Sequence, residues 1–268
     1  MSTEIQRFLR ANPVFTYETF LTTISKNGHR NPHTVKTLLT YHIRCGNILR
    51  IRRGLFAAVP VGADPKTYLV NPYLIAAYAT EDAVIAYHTA LDFHGAIYST
   101  SYRFIYLTKH RSGKFNFRSE TYESVIFSPA LIEQNQEESF VNVGDIQGLN
   151  IKVTSLERTI VDVLDKPVLS GGWEEVWRSL ELIEHIKVKN IIDYALVLNK
   201  ATTIAKVGFY LTHCRKDLNI KQEDLERLRL HCPLAPHYMD PSARHNGKFF
   251  PEWNIIVQNN LLMQNWQE

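Results

Sequence analysis

Metal-dependent nucleases place two acids and a lysine close together on one strand, where the acids hold a divalent cation that activates water. This chain contains one acid-x-lysine triplet, Asp64-Pro65-Lys66. Proline lacks the N–H group that a central strand donates, so the triplet does not fit such a strand. Phosphate-binding glycine loops and the nucleophile motif Gly-x-Ser-x-Gly do not occur in the sequence either. The sequence therefore predicts no catalytic residue and no enzyme activity.

Histidine and cysteine are frequent ligands of transition metals. His88 and His94 lie six residues apart, which is roughly 240° around one helix, so they do not share a metal from that helix. His88 lies on an apolar stripe, which favours a buried, hydrogen-bonded histidine. Adjacent residues on a helix point about 100° apart. Two pairs of adjacent residues are therefore unsuited to bind one metal ion together: His213-Cys214 and His231-Cys232. We expect no metal and no cofactor.

Four glutamates in the later part of the chain are predicted to form a solvated helical face: Glu174, Glu175, Glu181 and Glu184. Helix surfaces commonly carry such acids without any chemical role. These four glutamates therefore do not indicate a catalytic site.

The chemistry that the sequence does suggest is anion binding by a short run of arginines. In "NILRIRRGLFAAVP", residues 47–60, Arg50, Arg52 and Arg53 occupy three of four positions in an otherwise apolar stretch, and Gly54 follows them. One or two charges suffice to keep a hairpin solvated and to discourage edge pairing. Three arginines at a turn instead indicate a surface that binds phosphates.

The net charge is distributed unevenly along the chain. Residues 1–60 hold nine lysines and arginines against two acids, a net charge of +7, although the whole chain carries only +3. A basic N-terminal region followed by a mildly acidic remainder is typical of a nucleic-acid-binding module attached to a second domain.

The elements that must position these arginines are three helices and a hairpin. Thr16 and Asn31 are the predicted N-caps of the second and third helices, and Pro32 suits the first helical position. The predicted helices cover 3–11, 17–26 and 32–45, and the predicted strands cover 48–51 and 55–59. Three helices followed by a basic hairpin are the order of a winged helix-turn-helix, which we predict for residues 1–64.

The third predicted helix has two different faces. Apolar side chains, His42 and Cys45 fall on one face. The other carries hydrogen-bonding and cationic groups and no acid, whereas a plain solvated helix commonly mixes glutamate with lysine. Such a face can reach base edges and phosphates in a major groove, while the hairpin contacts the backbone beside it. The predicted DNA-binding residues are His33, Lys36, Thr37, Thr40, Arg44, Arg50, Arg52 and Arg53.

Residues 65–268 are predicted to form a larger mixed α/β domain, so that the fold class of the chain is α+β. Thr80 is expected to cap a helix that ends at Gly95, and Thr154 with Glu157 to form a capping box. A mostly helical region follows that capping box, and the tail is expected to be a strand or a docking segment. Three further runs have the pattern of strands: 102–109, 122–129 and 149–155.

Composition and segment lengths indicate where the protein works. The 268 residues are 45% hydrophobic and 21% charged, which is typical of a globular protein. The longest uncharged stretch, 68–80, is too short to span a membrane and is interrupted by Asn71 and Pro72. Three cysteines at unrelated spacings give no disulfide framework. We expect a cytoplasmic protein with reduced thiols and no membrane partner.

Four segments of the chain resemble the AbiEi family, the abortive-infection antitoxins of type IV toxin-antitoxin systems. They are "GNILRIRRGLFAAVP" (46–60), "AYHTALDFHGAIYST" (86–100), "IKVTSLERTIVDVLDKPVLSGGWEEVWRSL" (151–180) and the tail around Trp253. The third segment is the most specific, because it combines a threonine-serine cap with Glu157-Arg158-Thr159 and two adjacent glycines.

The resemblance implies two tasks for the protein. The winged helix represses its own operon by binding inverted repeats in the promoter, through the eight residues named above. The larger domain counteracts a nucleotidyltransferase-like toxin encoded by the next gene. No residue is implied as catalytic.

Two other functions remain open from the residues alone. A stand-alone winged-helix transcription factor would use its second domain to sense a ligand, and an apolar pocket there would favour it. A DNA-targeted nuclease would require three convergent acids.

Overall fold

A computed structural model describes residues 3–28, 31–111, 113–214, 220–241 and 246–263. The chain is mixed α+β, as predicted, and divides into two compact units. The first unit comprises Met1–Ile85, Tyr102–Val125 and Val143–Lys152, and the second comprises Ala86–Ser101, Ile126–Asn142 and Val153–Glu268. The predicted domain boundary after residue 64 lies inside the first unit.

The first unit begins with three helices and a small antiparallel sheet. The elements are α1 (Thr3–Ala11), β1 (Val14–Thr16), α2 (Tyr17–Gly28), α3 (Pro32–Arg44), β2 (Ile48–Arg52) and β3 (Leu55–Ala58). The predicted helices and hairpin strands lie where the sequence pattern put them, within a few residues. Both predicted N-caps are confirmed, because Thr16 Oγ1 accepts a hydrogen bond from Thr19 N and Asn31 Oδ1 accepts one from Thr34 N.

Aromatic packing holds these helices against the sheet, whose strand order is β1-β3-β2. The ring centroids of Phe8 and Phe15 lie 5.0 Å apart in an edge-on contact. Phe15 also stacks on Phe20 at 5.7 Å and on Phe56 at 5.9 Å. Val35 of α3 belongs to the same buried cluster. One face of α3 is therefore fixed in the core, and its opposite face is presented to solvent.

The rest of the first unit contains most residues of a six-stranded sheet of order β6-β7-β5-β4-β9-β8. Its elements are α4 (Pro72–Ala77), β4 (Val84–Ile85), β5 (Arg103–Thr108), β6 (Gly113–Phe117), β7 (Glu120–Ile126), β8 (Val141–Ile146) and β9 (Leu149–Thr154). The three strand-like runs of the sequence are confirmed as β5, β7 and β9.

The helix predicted to start at Thr80 and end at Gly95 is wrong in its first half only, because its second half is α5 (Tyr87–Phe93). Val84 pairs with Leu107 in an antiparallel ladder, so this apolar run forms β4 and not the first turns of a helix. Asp82 accepts hydrogen bonds from Thr108 Oγ1 and Lys109 N, which fixes the segment before β4 beside β5. Pairing with a distant strand overrides local helix propensity here.

The second unit is mostly helical around a large apolar core. Its helices are α5 (Tyr87–Phe93), α6 (Pro129–Glu133), α7 (Leu156–Asp165), α8 (Trp173–Glu181), α9 (Val188–Leu198), α10 (Ala201–Phe209), α11 (Gln222–Arg229) and α12 (Asn259–Met263). A small sheet of order β10-β12-β11 adds β10 (His237–Tyr238), β11 (Gly247–Phe250) and β12 (Ile255–Gln258). The tail thus contains a strand, as one of the two predictions for it stated.

The predicted capping box at Thr154 is wrong by one residue. Ser155 is the N-cap of α7, because its Oγ accepts a hydrogen bond from Arg158 N. Thr154 Oγ1 instead lies 2.7 Å from Thr159 Oγ1 in the interior. Glu157 accepts from Lys187 N and so does not close a box. Among the residues that the structure describes, no helix has both the length and the apolarity to cross a membrane.

Candidate nucleic-acid interface

The solvent-facing side of α3 carries the polar residues that the sequence assigned to it. All five predicted DNA-binding residues of this helix are exposed: His33, Lys36, Thr37, Thr40 and Arg44. The helix sequence contains no acid. Its cationic and hydrogen-bonding groups therefore face solvent with no carboxylate on the same helix to neutralise them.

The threonine hydroxyls on this face have their hydrogens directed into the helix. Thr37 Oγ1 donates to His33 O at 3.0 Å, and Thr40 Oγ1 donates to Lys36 O at 2.9 Å. Because each hydroxyl hydrogen is occupied, the oxygen lone pairs and the methyl groups remain for an outside partner. Lone pairs can accept from the amino group of adenine or cytosine, and a methyl group can contact that of thymine.

His42 belongs to the opposite, buried face of α3, as predicted. Burial lowers the pKa of His42, and its Nδ1 lies 3.2 Å from Nδ2 of Asn47. The amide donates in this contact, which suits a neutral imidazole. Cys45 was predicted on the same inner side, but it is exposed at the C-cap, where the helix ends and its apolar stripe no longer applies.

The hairpin of β2 and β3 contains an irregularity that separates its arginines. Ile48 and Ile51 are both buried although they are three residues apart, whereas a regular strand turns such residues to opposite faces. The register shifts between Arg50 and Arg52 in the pairing with β3, as a β-bulge does. Arg50 and Arg53 remain exposed on either side of it.

Arg52 is directed into the first unit. Its guanidinium donates a hydrogen bond to Ala79 O and lies 4.7 Å from the centroid of the Phe115 ring. The side chain is half-buried. Of the eight predicted DNA-binding residues, the structure therefore leaves seven exposed and gives Arg52 partners within the protein. A sequence pattern alone does not distinguish it from Arg50 and Arg53.

Two features near this surface were not among the predicted sites. Tyr41 is 59% exposed on the same face of α3. The period of 3.6 residues assigns it to this face together with Thr37, Thr40 and Arg44. A groove of about 840 Å³ beside the hairpin turn, here called the Arg53 groove, combines parts of the first unit that are distant in sequence. Its lining includes Thr16, Thr19, Arg53, Tyr78, Glu81 and Lys152.

The second unit contains the histidine-cysteine pairs His213-Cys214 and His231-Cys232. Among the described residues, no group of three or more histidine, cysteine, aspartate or glutamate side chains is placed to hold a metal ion. His213 lies 3.4 Å from Glu252 Oε1, and the side chain of Cys214 lies outside the described residues. Burial raises the pKa of Cys232 to about 11, so its half-buried thiol is protonated and unreactive.

A fully buried arginine organises the start of α7. Arg158 Nη1 donates to Glu137 O and Ser139 O, each at 2.7 Å, and Nε lies 3.4 Å from Asp162 Oδ2. Tyr194 donates to Asp162 Oδ1 at 2.7 Å. Burial raises the pKa of Asp162. These contacts join α7, α9 and the loop before β8, and they give Arg158 and Asp162 a structural role.

Glu175 was predicted to be solvated, and this prediction is wrong. The residue is 8% exposed and accepts hydrogen bonds from Ser99 N, Ser99 Oγ and Ser179 Oγ. Its Oε1 also lies 3.4 Å from His88 Nε2, so His88 is buried and partnered as predicted. Burial raises the pKa of Glu175, but the hydrogen bonds and the charge of His88 outweigh it and hold the pKa below its ordinary value.

Comparisons with known proteins give a fold and no family. No protein-family model matches the chain, and no curated protein matches it in sequence. The chain is similar to the crystal structure of the RV2827C protein from Mycobacterium tuberculosis, with a TM-score of 0.61 over 98% of this chain and 93% of that one. The two sequences are 12% identical, so the similarity shows a shared α+β fold alone.

Proposed function

We propose that the chain is a transcriptional repressor that binds double-stranded DNA through a winged helix-turn-helix formed by α1 to β3. In this proposal α3 reads the major groove and the hairpin contacts the adjacent backbone. The element order, with β3 between β1 and β2, supports it. So does the exposure of Arg50 and Arg53 beside α3, since helix α3 packs against β2.

The observation that carries the proposal is the acid-free, exposed face of α3. Lys36 and Arg44 supply charge for phosphates, and Thr37 and Thr40 supply acceptors and methyl groups for base edges. A surface that only kept the protein soluble would carry both signs of charge.

Binding of the full chain to a duplex with its own promoter tests this proposal by fluorescence anisotropy. Thr40→Ala should change the preference among operator variants by about 1–3 kcal/mol, since a base contact is lost. Thr67→Ala, which removes an exposed hydroxyl of the joint after β3, is the matched control and should leave the preference unchanged. The absence of any binding to duplex DNA at low salt would overturn the proposal.

We propose further that the chain is an antitoxin of the AbiEi type, whose larger domain counteracts a nucleotidyltransferase-like toxin without catalysis. The four resembling segments support this proposal. Expression of the full chain from an independent promoter should restore growth to cells that produce the toxin of the neighbouring gene. The Lys36→Ala/Arg53→Ala variant should restore growth equally, because neutralisation does not depend on the DNA-binding surface. Failure of the wild-type chain to restore growth would refute the assignment.

A second candidate function is that of a ligand-sensing repressor with no toxin partner. The Arg53 groove favours it, because a recess that shares an arginine with the proposed DNA surface can couple ligand binding to DNA binding. A neighbouring gene that encodes no nucleotidyltransferase-like protein would favour this candidate over the antitoxin.

A further inference from the structure

The Arg53 groove is built from four parts of the first unit. The start of α2 contributes Thr16 and Thr19, the hairpin turn contributes Arg53, the segment before β4 contributes Tyr78 and Glu81, and β9 contributes Lys152. Its volume of about 840 Å³ lies within the range of roughly 300–1,000 Å³ that small-molecule sites occupy.

Hydrogen bonds between lining residues hold the walls of the recess together. Tyr17 N donates to Gly54 O at 2.9 Å, which ties the start of α2 to the hairpin turn. Arg52 donates to Ala79 O on the opposite side, which ties the same turn to the segment before β4. A recess held in this way is largely formed before any ligand arrives, which lowers the ordering cost of binding.

The chemical character of the lining selects a class of ligand. Arg53 and Lys152 are cations, and Thr16 and Thr19 add hydroxyl groups, so the lining has the groups that bind a phosphate. Glu81 is an exposed carboxylate in the same lining, and such a group accepts hydrogen bonds from ribose hydroxyls. The half-buried ring of Tyr78 offers an aromatic surface for a base.

We propose that the Arg53 groove binds a nucleoside phosphate, with the phosphates at Arg53 and Lys152 and the nucleoside towards Tyr78. The lining carboxylates Glu18 and Glu81 disfavour the DNA backbone as the occupant, because a DNA strand carries a negative phosphate at every nucleotide. A free nucleotide keeps its charge at one end. This ligand site does not depend on the proposed DNA binding.

The shared arginine gives the site a consequence for regulation, which does rest on the proposed function. A ligand phosphate at Arg53 takes up donors of the guanidinium that a DNA phosphate would use, and two phosphates beside one guanidinium repel each other. A bound nucleotide therefore weakens DNA binding, and DNA weakens nucleotide binding by the same factor.

Isothermal titration calorimetry of the full chain with ADP tests the site. We expect a Kd below about 1 mM, and a loss of about tenfold for Lys152→Ala, which removes a charge-assisted contact. Thr19→Val should also weaken binding. Lys66→Ala, at an exposed lysine outside the groove, is the matched control and should bind ADP as the wild type does. Circular dichroism establishes that each variant is folded.

The results that would overturn the proposal are no heat from ADP at several times that concentration, or equal ADP affinity in the wild type and both groove variants. Pyrophosphate and adenosine are titrated alongside. If pyrophosphate binds as tightly as ADP, the groove is an anion site only and the nucleoside assignment fails. Saturating ADP should also weaken binding to promoter DNA about fivefold or more. A chain that binds ADP as expected but never binds DNA would refute the proposed repressor and leave this site standing.

Discussion

The three arginines of the hairpin should behave differently when each is replaced by glutamine, which keeps much of the side-chain length and removes the charge. Arg50 and Arg53 are exposed, and the guanidinium of Arg52 is engaged with Ala79 O and the Phe115 ring. We expect Arg50→Gln and Arg53→Gln to reduce the salt dependence of DNA binding. Arg52→Gln should instead reduce the stability of the fold.

The size of each effect follows from the contacts. If Lys36, Arg44, Arg50 and Arg53 each neutralise one phosphate, the slope of log K against log salt is about −3.6, since each contact contributes about −0.9. Raising the salt from about 50 to about 200 mM then weakens the wild type about 150-fold and either exposed-arginine variant about 40-fold. Arg52→Gln loses a hydrogen bond from a charged donor and a cation–π contact, which together stabilise the fold by about 1–3 kcal/mol.

Two measurements on the full chain separate these effects. Fluorescence anisotropy with the promoter duplex at several salt concentrations gives the slope, and urea unfolding gives the stability. The reasoning is refuted if Arg52→Gln lowers the slope as much as Arg53→Gln while its midpoint of unfolding stays at the wild-type value. That result would mean that Arg52 leaves its internal partners and contacts a phosphate.

Three further predictions concern the second unit. Ser155→Ala should lower the free energy of unfolding by about 0.5–2 kcal/mol through loss of the α7 cap, whereas Glu157→Ala should change it little, and the reverse order would contradict the assigned cap. Tyr194→Phe should cost about 1–3 kcal/mol because Asp162 loses a buried donor, and an unchanged unfolding midpoint in urea would contradict that. Because the pKa of Glu175 is lowered on folding, the ionised carboxylate stabilises the fold above pH 4.5, and this stabilisation is lost as the pH falls below that value. Glu175→Gln should therefore make the free energy of unfolding depend less on pH below 4.5. An unchanged pH dependence in that range would refute this assignment.

The three helices and the hairpin among the first sixty residues could be predicted because their signals are local, whereas β1 was not predicted. Thr16 and Asn31 cap their helices through contacts three residues away, and Pro32 fits the first turn of α3 without a long-range partner. The period of 3.6 residues then separates the buried face of α3 from the exposed one. Each of these signals is complete within one helix, so no knowledge of the remaining chain was needed.

The wrong predictions concern residues whose structure depends on a segment that is distant in the sequence. The local sequence from Glu81 to Ala86 is compatible with the start of a helix. Val84 instead pairs with Leu107 of β5, so the segment forms a strand. Glu175 lies on the opposite side of α8 from Trp173 and Trp177, so its side chain was expected to face solvent. The segment that contains Ser99 covers that side of the helix, and Ser99 donates hydrogen bonds to the carboxylate. Neither partner is visible within a window of ten residues.

The arginines of the hairpin combine both cases, and they show how a site is divided between binding and positioning. Charge and spacing identify the whole run as unusual, but they assign the same role to Arg50, Arg52 and Arg53. The bulge between Arg50 and Arg52 and the arrival of Ala79 and Phe115 give Arg52 a different environment. A guanidinium fixed in this way holds the turn in place and so keeps Arg53 at the surface. The internal arginine therefore serves the proposed DNA contact by fixing the position of its neighbour, which is why its loss should appear first as lower stability and not as a smaller salt slope.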